Sequence, residues 1–317
     1  MNNLYTYCLI SCWILLLGIS CTPTPSGLNQ EHGQNDSTTQ VVLKIQDGPF
    51  LLEEKSKIKE EYTSPESLTV PKDLAPQNKW VMFEGPVLEN ELIAYRFYMD
   101  SRHRSDIYGK KTNDLVMDTV GWNYHDIMDW GTDVLKVGES LGIGAPAIWY
   151  QDSLYTLSNC REKTVKVIKA AGVEAQVEFI FEDLQFGSET QTIVQNWSIT
   201  SGRPHAKVQL SIENGTLPEG AYFATGLVKH LEAAESGRQD QQFYLLSWGK
   251  QSYHEQNLGL GIVASSTYAP QIKEHPLNHL VIFEQSQSGV EYEFAAAWEA
   301  DRMEINDAAT FKKRLLQ

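Results

Sequence analysis

The sequence predicts a mainly β protein: a large antiparallel β-sandwich with long functional loops. Three observations carry this. Beyond residue 150, short runs alternate apolar and polar residues with a period of two. No long run of helical period separates them, which argues against a parallel α/β sheet. The chain of 317 residues is 42% hydrophobic and 10% aromatic, enough to fill a substantial core.

Residues 4–20, LYTYCLISCWILLLGIS, are largely apolar, carry no charge and end at Cys21. Their apolar core from Cys8 to Ile19 is short for a membrane span of about 20 residues and suits a signal peptide. Gly18-Ile19-Ser20-Cys21 resembles a bacterial lipobox, with Gly18 where leucine is usual. That implies cleavage before Cys21 and lipidation of its thiol. Residues 1–20 therefore read as a lipoprotein signal peptide. Residues 21–40, rich in Pro, Ser, Thr, Asn and Gln, read as a flexible tether. The expected location is outside the cytoplasm, membrane-anchored, in the periplasm or at the outer membrane. After processing, Cys160 is the one free thiol, which excludes a disulfide framework and a cysteine-based zinc site. A buried structural role suits it better than a nucleophilic one.

Residues 41–74 form a divergent N-terminal segment, in which VVLKIQDGPF reads as a strand and LLEEKSKIKEEYTSPESL as a surface helix or a disordered connection. Pro71 and Pro76 bracket a loop, and the sandwich is expected over 75–317. Tyr95, Phe97 and Met99 alternate with Arg96, Tyr98 and Asp100, so one face of that strand would present an arginine, a phenol and a carboxylate together. Val173, Ala175, Val177, Phe179 and Phe181 form one stripe, and Val208, Leu210 and Ile212 another. TVKVI, TIVQNWSIT, FYLLSW, LGLGIVAS, HLVIF and VEYEFAAAW complete the set of strands. The tail INDAATFKKRLLQ reads as a helix starting near Asn306 or Asp307.

Function concentrates in residues 95–144. Here Arg96, Arg102, Arg104, Lys110, Lys111 and Lys136 mix with His103, His125, the carboxylates Asp100, Asp106, Asp126, Asp129 and Asp133, aromatic rings and glycines, as in loops carried on a scaffold. The net charge of −15 excludes nonspecific nucleic-acid binding, while this local basic patch leaves room for an anionic small molecule or oligosaccharide. P-loop, HExxH and CxxC signatures are missing. Ser140 sits between glycines in GESLG, which matches GxSxG but lacks the strand–turn–helix context of a hydrolase elbow; those glycines read as tight turns. If Trp122–Trp130 is locally helical, His125 and Asp129 stand one turn apart, and a carboxylate beside an imidazole favours its charged form, as suits a general acid. A histidine satisfied by a local hydrogen bond is the alternative. In TGLVKH only one of Lys229 and His230 can face a shared site, and His230 is preferred. His205, His254, His275 and His279 read as solvated. A divalent metal ion could be held by His125, His230 and nearby carboxylates, but no spacing demands one, and no other cofactor is implied. Trp122 and Trp130 could stack on sugar rings, and arginine offers a fork for a carboxylate.

FEGPVLENELIAYRFYMDSRHRSDIYGKKT, then YHDIMDWGTDVLKVGESLGIGA and later TGLVKH, resemble a family of exported Bacteroidota-type proteins labelled as a domain of unknown function. Its members accompany polysaccharide utilisation and are linked to dehydratases acting on unsaturated uronyl ends of ulvan oligosaccharides. The resemblance covers about residues 65–300. It implies a carbohydrate-active lipoprotein with a sandwich fold, for which a galactose-mutarotase-like supersandwich is one form. The implied activity is a carbon–oxygen lyase that eliminates water by acid/base catalysis; a noncatalytic glycan-binding lipoprotein and a glycoside hydrolase are the alternatives. In the lyase reading Arg96 or Lys110 neutralises the uronate carboxylate, His125 moves the proton, and Lys136 or His230 is its partner. Asp106 and Asp133 orient these groups or bind hydroxyls, and Tyr98, Tyr108, Trp122, Tyr124 and Trp130 contact the sugar. The expected partners are an acidic oligosaccharide and, through Cys21, a membrane.

Overall fold

The structure, a computed structural model, describes residues 37–46, 62–73 and 80–317. The signal peptide, Cys21, most of the tether and the charged run before Tyr62 lie outside the described residues. Among the described residues the strands form sheets of nine, six, five and two strands, and every pairing between strands is antiparallel. No helix of the described residues is long and apolar enough to cross a membrane.

Alternation becomes burial as the sequence predicts. Glu174–Phe186 turns Ala175, Val177, Phe179 and Phe181 inward and keeps Glu178 and Glu182 at the surface. Val173 precedes this strand and is exposed. Between Phe181 and Leu184 the pairing with Glu189–Thr200 slips, with Asp183 at φ 50°. That bulge shifts the two-residue period by one, so Leu184 and Phe186 return to the core instead of facing solvent.

The nine-stranded sheet is one layer of the sandwich. The opposite layer joins two sheets. One runs in the order Ala171–Gly172, Thr39–Val42, Val87–Asn90, Ile93–Phe97, Ser105–Lys110, Gly131–Asp133; the other is built around Ala147–Tyr150, Tyr222–Val228 and Asn278–Phe283. Bridges Ser105–Gly142 and Ile143–Leu227 connect them. Gly142 makes the junction possible: its φ is +73°, and a Cβ there would lie 1.9 Å from the carbonyl oxygen of Ser105. Between the layers Phe97 meets Trp197 edge-on at 4.3 Å and Tyr95 meets Phe294 at 5.0 Å. Burying each such phenylalanine is worth roughly 2–3 kcal/mol. The terminal helix Ala308–Leu315 is capped by Asp307, whose carboxylate accepts from the Thr310 N–H, and it buries Phe311 and Leu315 on the outer face of the nine-stranded sheet.

The sandwich takes in more of the chain than 75–317. Thr39–Val42 pairs with Val87–Asn90 inside the six-stranded sheet, and Ser67–Pro71 edges the nine-stranded one. His205 is not solvated: it is 3% exposed, and its Nε2 donates to the Leu315 carbonyl, tying the helix to the sheet. Cys160 is buried and free, and burial raises its thiol pKa, which opposes a nucleophilic role.

Candidate functional site

The six-stranded sheet is buried on both faces. Ile93, Tyr95, Phe97 and Ile107 point into the sandwich. The alternate residues Ala94, Arg96, Asp106 and Tyr108 point the other way, because Arg96 pairs with Asp106 and Ala94 with Tyr108 across the two central strands. Tyr108 pairs in turn with Asp133. Over this second face lies a roof of Met117, Val120 and Tyr124, with Trp122 and Trp130 half-buried at its margin. Gly131 fits where its strand meets Ser105–Lys110: its φ is +138°, and a Cβ would lie 1.8 Å from the Gly109 carbonyl oxygen.

Arg96 is the hub. Its Nη2 donates to Asp106 Oδ2 at 2.5 Å and to Tyr98 Oη at 2.6 Å, and stands 3.4 Å from Asp133 Oδ2. Nη1 donates to the Phe83 carbonyl at 3.0 Å and to Tyr124 Oη at 3.2 Å, with Glu84 Oε2 at 3.5 Å. The Phe83–Glu84 turn that supplies two of these acceptors holds both residues at positive φ, 60° and 61°, a costly conformation for side chains of this size. Tyr98 donates its own proton to Asp106 Oδ2 at 2.7 Å. Its ring lies between two guanidiniums, Arg96 at 4.3 Å and Arg102 at 4.0 Å. Burial raises the phenol pKa values of Tyr98, Tyr108 and Tyr124, so all three stay protonated.

Asp106 and Asp133 share one nitrogen of this guanidinium. Burial first, and the negative charge of Asp106 second, push Asp133 well above the usual carboxylate range. Asp133 Oδ2 also lies 3.4 Å from Nδ1 of His125, whose side chain is 53% exposed. That separation exceeds a formed hydrogen bond; such contacts commonly tighten when a substrate binds. The result is a solvent-facing imidazole backed by a buried carboxyl group. The segment 122–130 forms turns rather than a helix, so the partner of His125 is Asp133, not Asp129.

Lys110 lies on the same face, two positions past Tyr108. Its Nζ stands 2.7 Å from Glu89 Oε1, both side chains being 0% exposed, and donates to the Asn90 carbonyl at 2.6 Å. Arg96 and Lys110 thus spend their charge on internal acceptors and do not open onto a ligand. Of the remaining cations of this stretch, Lys136 is exposed, while Arg102, held to Asp100 and 33% exposed, and Lys111 are half-buried. His230 is exposed and donates from Nε2 to the Lys136 carbonyl at 2.7 Å, while Lys229 pairs with Glu232. Among the described residues no three His, Cys, Asp or Glu side chains gather as metal ligands. Trp122 donates to Tyr62 Oη at 2.9 Å, and Trp130 stands edge-on to Tyr108 at 6.4 Å.

Sequence reasoning passes over Glu84 and Tyr253 and gives Arg102 and His254 no specific role at this site. Nothing local marks Glu84 and Arg102 as partners of Arg96 and Tyr98. Tyr253 and His254 come from another strand connection. The Tyr253 ring lies 5.8 Å from that of His125, and His254 Nε2 is 3.1 Å from Thr132 Oγ1. His254 is therefore half-buried against the site strand and not solvated. Surface cavities of about 300, 420 and 380 Å³ lie elsewhere, lined for example by Tyr268 and Glu293, by Cys160 and Arg161, or by Met303 and Lys313.

No curated protein matches the sequence. Among solved structures, the chain is similar to an alpha-N-acetylgalactosaminidase, NagBb, from Bifidobacterium bifidum in complex with GalNAc, at 11% identity and a TM-score of 0.30. That likeness covers 66% of this chain, which spans 35% of the glycosidase's length. A putative aldose 1-epimerase from Klebsiella pneumoniae subsp. pneumoniae MGH 78578 is similar at 7% identity and a TM-score of 0.36, over 87% of this chain and 94% of the other. Likenesses this partial transfer no activity. The family profile described as Domain of unknown function (DUF4861) matches residues 25–317, and the chain belongs to that family.

Proposed function

We propose that this protein is a carbohydrate-active lipoprotein, anchored through Cys21 outside the cytoplasm, that eliminates water from an unsaturated uronyl end of an acidic oligosaccharide. The observation that carries the reading is the half-exposed His125 ring 3.4 Å from the buried carboxyl of Asp133. In the elimination His125 takes the proton of a C–H bond conjugated with the carboxylate, and the electron pair of that bond becomes the new C=C bond. The imidazolium returns the proton to the hydroxyl, which leaves as water. Asp133 is the positioning residue behind His125. The uronate carboxylate is met by Arg102 or Lys136, since Arg96 and Lys110 are enclosed. Arg96 instead holds Asp106, Tyr98 and Tyr124 in place.

A glycoside hydrolase needs two carboxylates flanking the scissile bond about 5–9.5 Å apart. Asp106 and Asp133 are 1% and 2% exposed and lean on one nitrogen of Arg96, which does not suit that task. The test is incubation with lyase-generated unsaturated uronyl oligosaccharides, followed by mass and ultraviolet absorbance. Loss of one water is expected, and His125→Ala should cut the rate roughly 100-fold or more. Binding without a mass change, unaffected by His125→Ala, would make the protein a noncatalytic glycan binder. Release of a terminal sugar would make it a hydrolase.

A further inference from the structure

We infer that Tyr253 is a substrate-positioning residue: an exposed platform that seats the flat face of a pyranose ring beside the His125 imidazole. The inference rests on the carbohydrate reading of this site.

The Tyr253 side chain is unusually placed for an aromatic residue, with the residue 51% exposed. A tyrosine ring left in water forgoes a burial worth roughly 2 kcal/mol, and nothing in the sandwich core calls for one here. Its loop is nevertheless braced. Gln251 is 4% exposed and donates from Nε2 to the Leu258 carbonyl at 2.6 Å, and Ser252 Oγ accepts the Gln256 N–H at 2.8 Å. The loop also grips the strand that carries Asp133 on both sides of that residue. The Tyr253 N–H donates to the Val134 carbonyl at 2.8 Å, and His254 holds Thr132. The exposed ring is therefore fixed relative to Asp133 and to His125.

The two rings stand 5.8 Å apart with their planes 30° from parallel, which leaves an open wedge instead of a closed stack. The turn segment that presents His125 leaves Ile127 50% and Met128 37% exposed, beside the exposed Asn123, Asp126 and Asp129, so it offers both apolar and hydroxyl-binding side chains. The ligand chemistry follows from the shapes. The π face of tyrosine is electron-rich, and a pyranose offers it a flat face of C–H bonds while its hydroxyls stay at the rim. A ring seated on Tyr253 presents its edge to the imidazole.

The experiment compares wild type, Tyr253→Phe and Tyr253→Ala, each checked for an unchanged melting temperature, using a lyase-released unsaturated uronyl disaccharide as the probe. Tyr253→Ala should raise KM roughly tenfold, the size of one aromatic contact, with kcat and its pH profile held. Tyr253→Phe should behave as wild type. In saturation-transfer NMR, irradiating the aromatic protons should label the sugar ring protons in wild type and in Tyr253→Phe, and much less in Tyr253→Ala. Equal transfer and equal KM in Tyr253→Ala would overturn the inference, as would the lack of transfer in wild type. A lower kcat with a displaced pH profile at constant KM would also overturn it, by making Tyr253 a support for the imidazole. Transfer that depends on Tyr253 in a protein that turns nothing over would sink the dehydratase and leave the platform standing.

Discussion

Lys110 gives the sharpest test of what holds the second face of the six-stranded sheet. Its ammonium and the Glu89 carboxylate are wholly enclosed, 2.7 Å apart, and burial lowers the pKa of the amine. Breaking a buried pair by removing one partner costs about 3–5 kcal/mol, because the other charge stays behind unpaired. Here Glu89 retains the N–H groups of Val116 and Met117 and the amide of Gln40 at 2.6 Å, which holds the loss for Lys110→Met near the low end. The Asn90 carbonyl also loses its 2.6 Å donor, about 1 kcal/mol more. The expected total is about 4 kcal/mol by urea unfolding, or roughly 8–16 °C in Tm. Adding Glu89→Gln removes the stranded charge, so the double variant should recover about 2 kcal/mol relative to the sum of the single changes. A loss under about 1 kcal/mol for Lys110→Met, or additivity in the double variant, would refute the reasoning. The surviving folded fraction should bind and turn over substrate as wild type does.

Two further outcomes follow from buried titratable groups. Asp133 has its folded pKa above the ordinary value of about 3.9, so the folded state binds the extra proton and stability falls as pH rises through that window. Asp133→Asn should therefore be neutral to about 1 kcal/mol stabilising at pH 7, with the difference gone near pH 4, while turnover drops at least about tenfold; a large loss of stability at pH 7 would contradict it. His103 is enclosed by Phe97, Phe179 and Phe181, and burial holds its pKa well below the usual range. The unfolded chain takes up that proton first, so stability should fall as pH drops below about 6.5. His205, also lowered by burial, adds to the same slope. Replacing His103 by Asn, which tolerates its φ of 42°, should remove about one proton from the slope measured by denaturation between pH 7 and 5; an unchanged slope would refute the assignment.

The strands were legible because one face of each long strand meets solvent and the two-residue period survives. The terminal helix was legible from Asp307. The site was legible in part for the same reason: alternation turns Arg96 and Tyr98 away from Tyr95 and Phe97, while the pairing that adds Asp106 and Tyr108 to the Arg96 face shows only in the structure. Burial of that face was not legible. It depends on the segment from Met117 to Trp130 folding back over the sheet, and a face roofed by turns carries no period of its own. The spacing of His125 and Asp129 invites a helix, but the turns of 122–130 bring Asp133 to the imidazole instead. Glu84 became visible only through its contacts, as did the role of Arg102, and Tyr253 and His254 arrive from more than a hundred residues away. Such long-range partners leave no mark in local pattern.

Thr39–Val42 lies within its sheet, flanked by Val87–Asn90 on one side and Ala171–Gly172 on the other. A load entering the body through residue 39 meets a strand bonded along both edges. Pulled along its length, the strand has to break its cross-strand bonds together in shear, whereas an edge hairpin would peel one bond at a time. Glu89 stands on the neighbouring strand and Arg96 on the one beyond it, so the buried charged cluster sits behind the element that takes the strain.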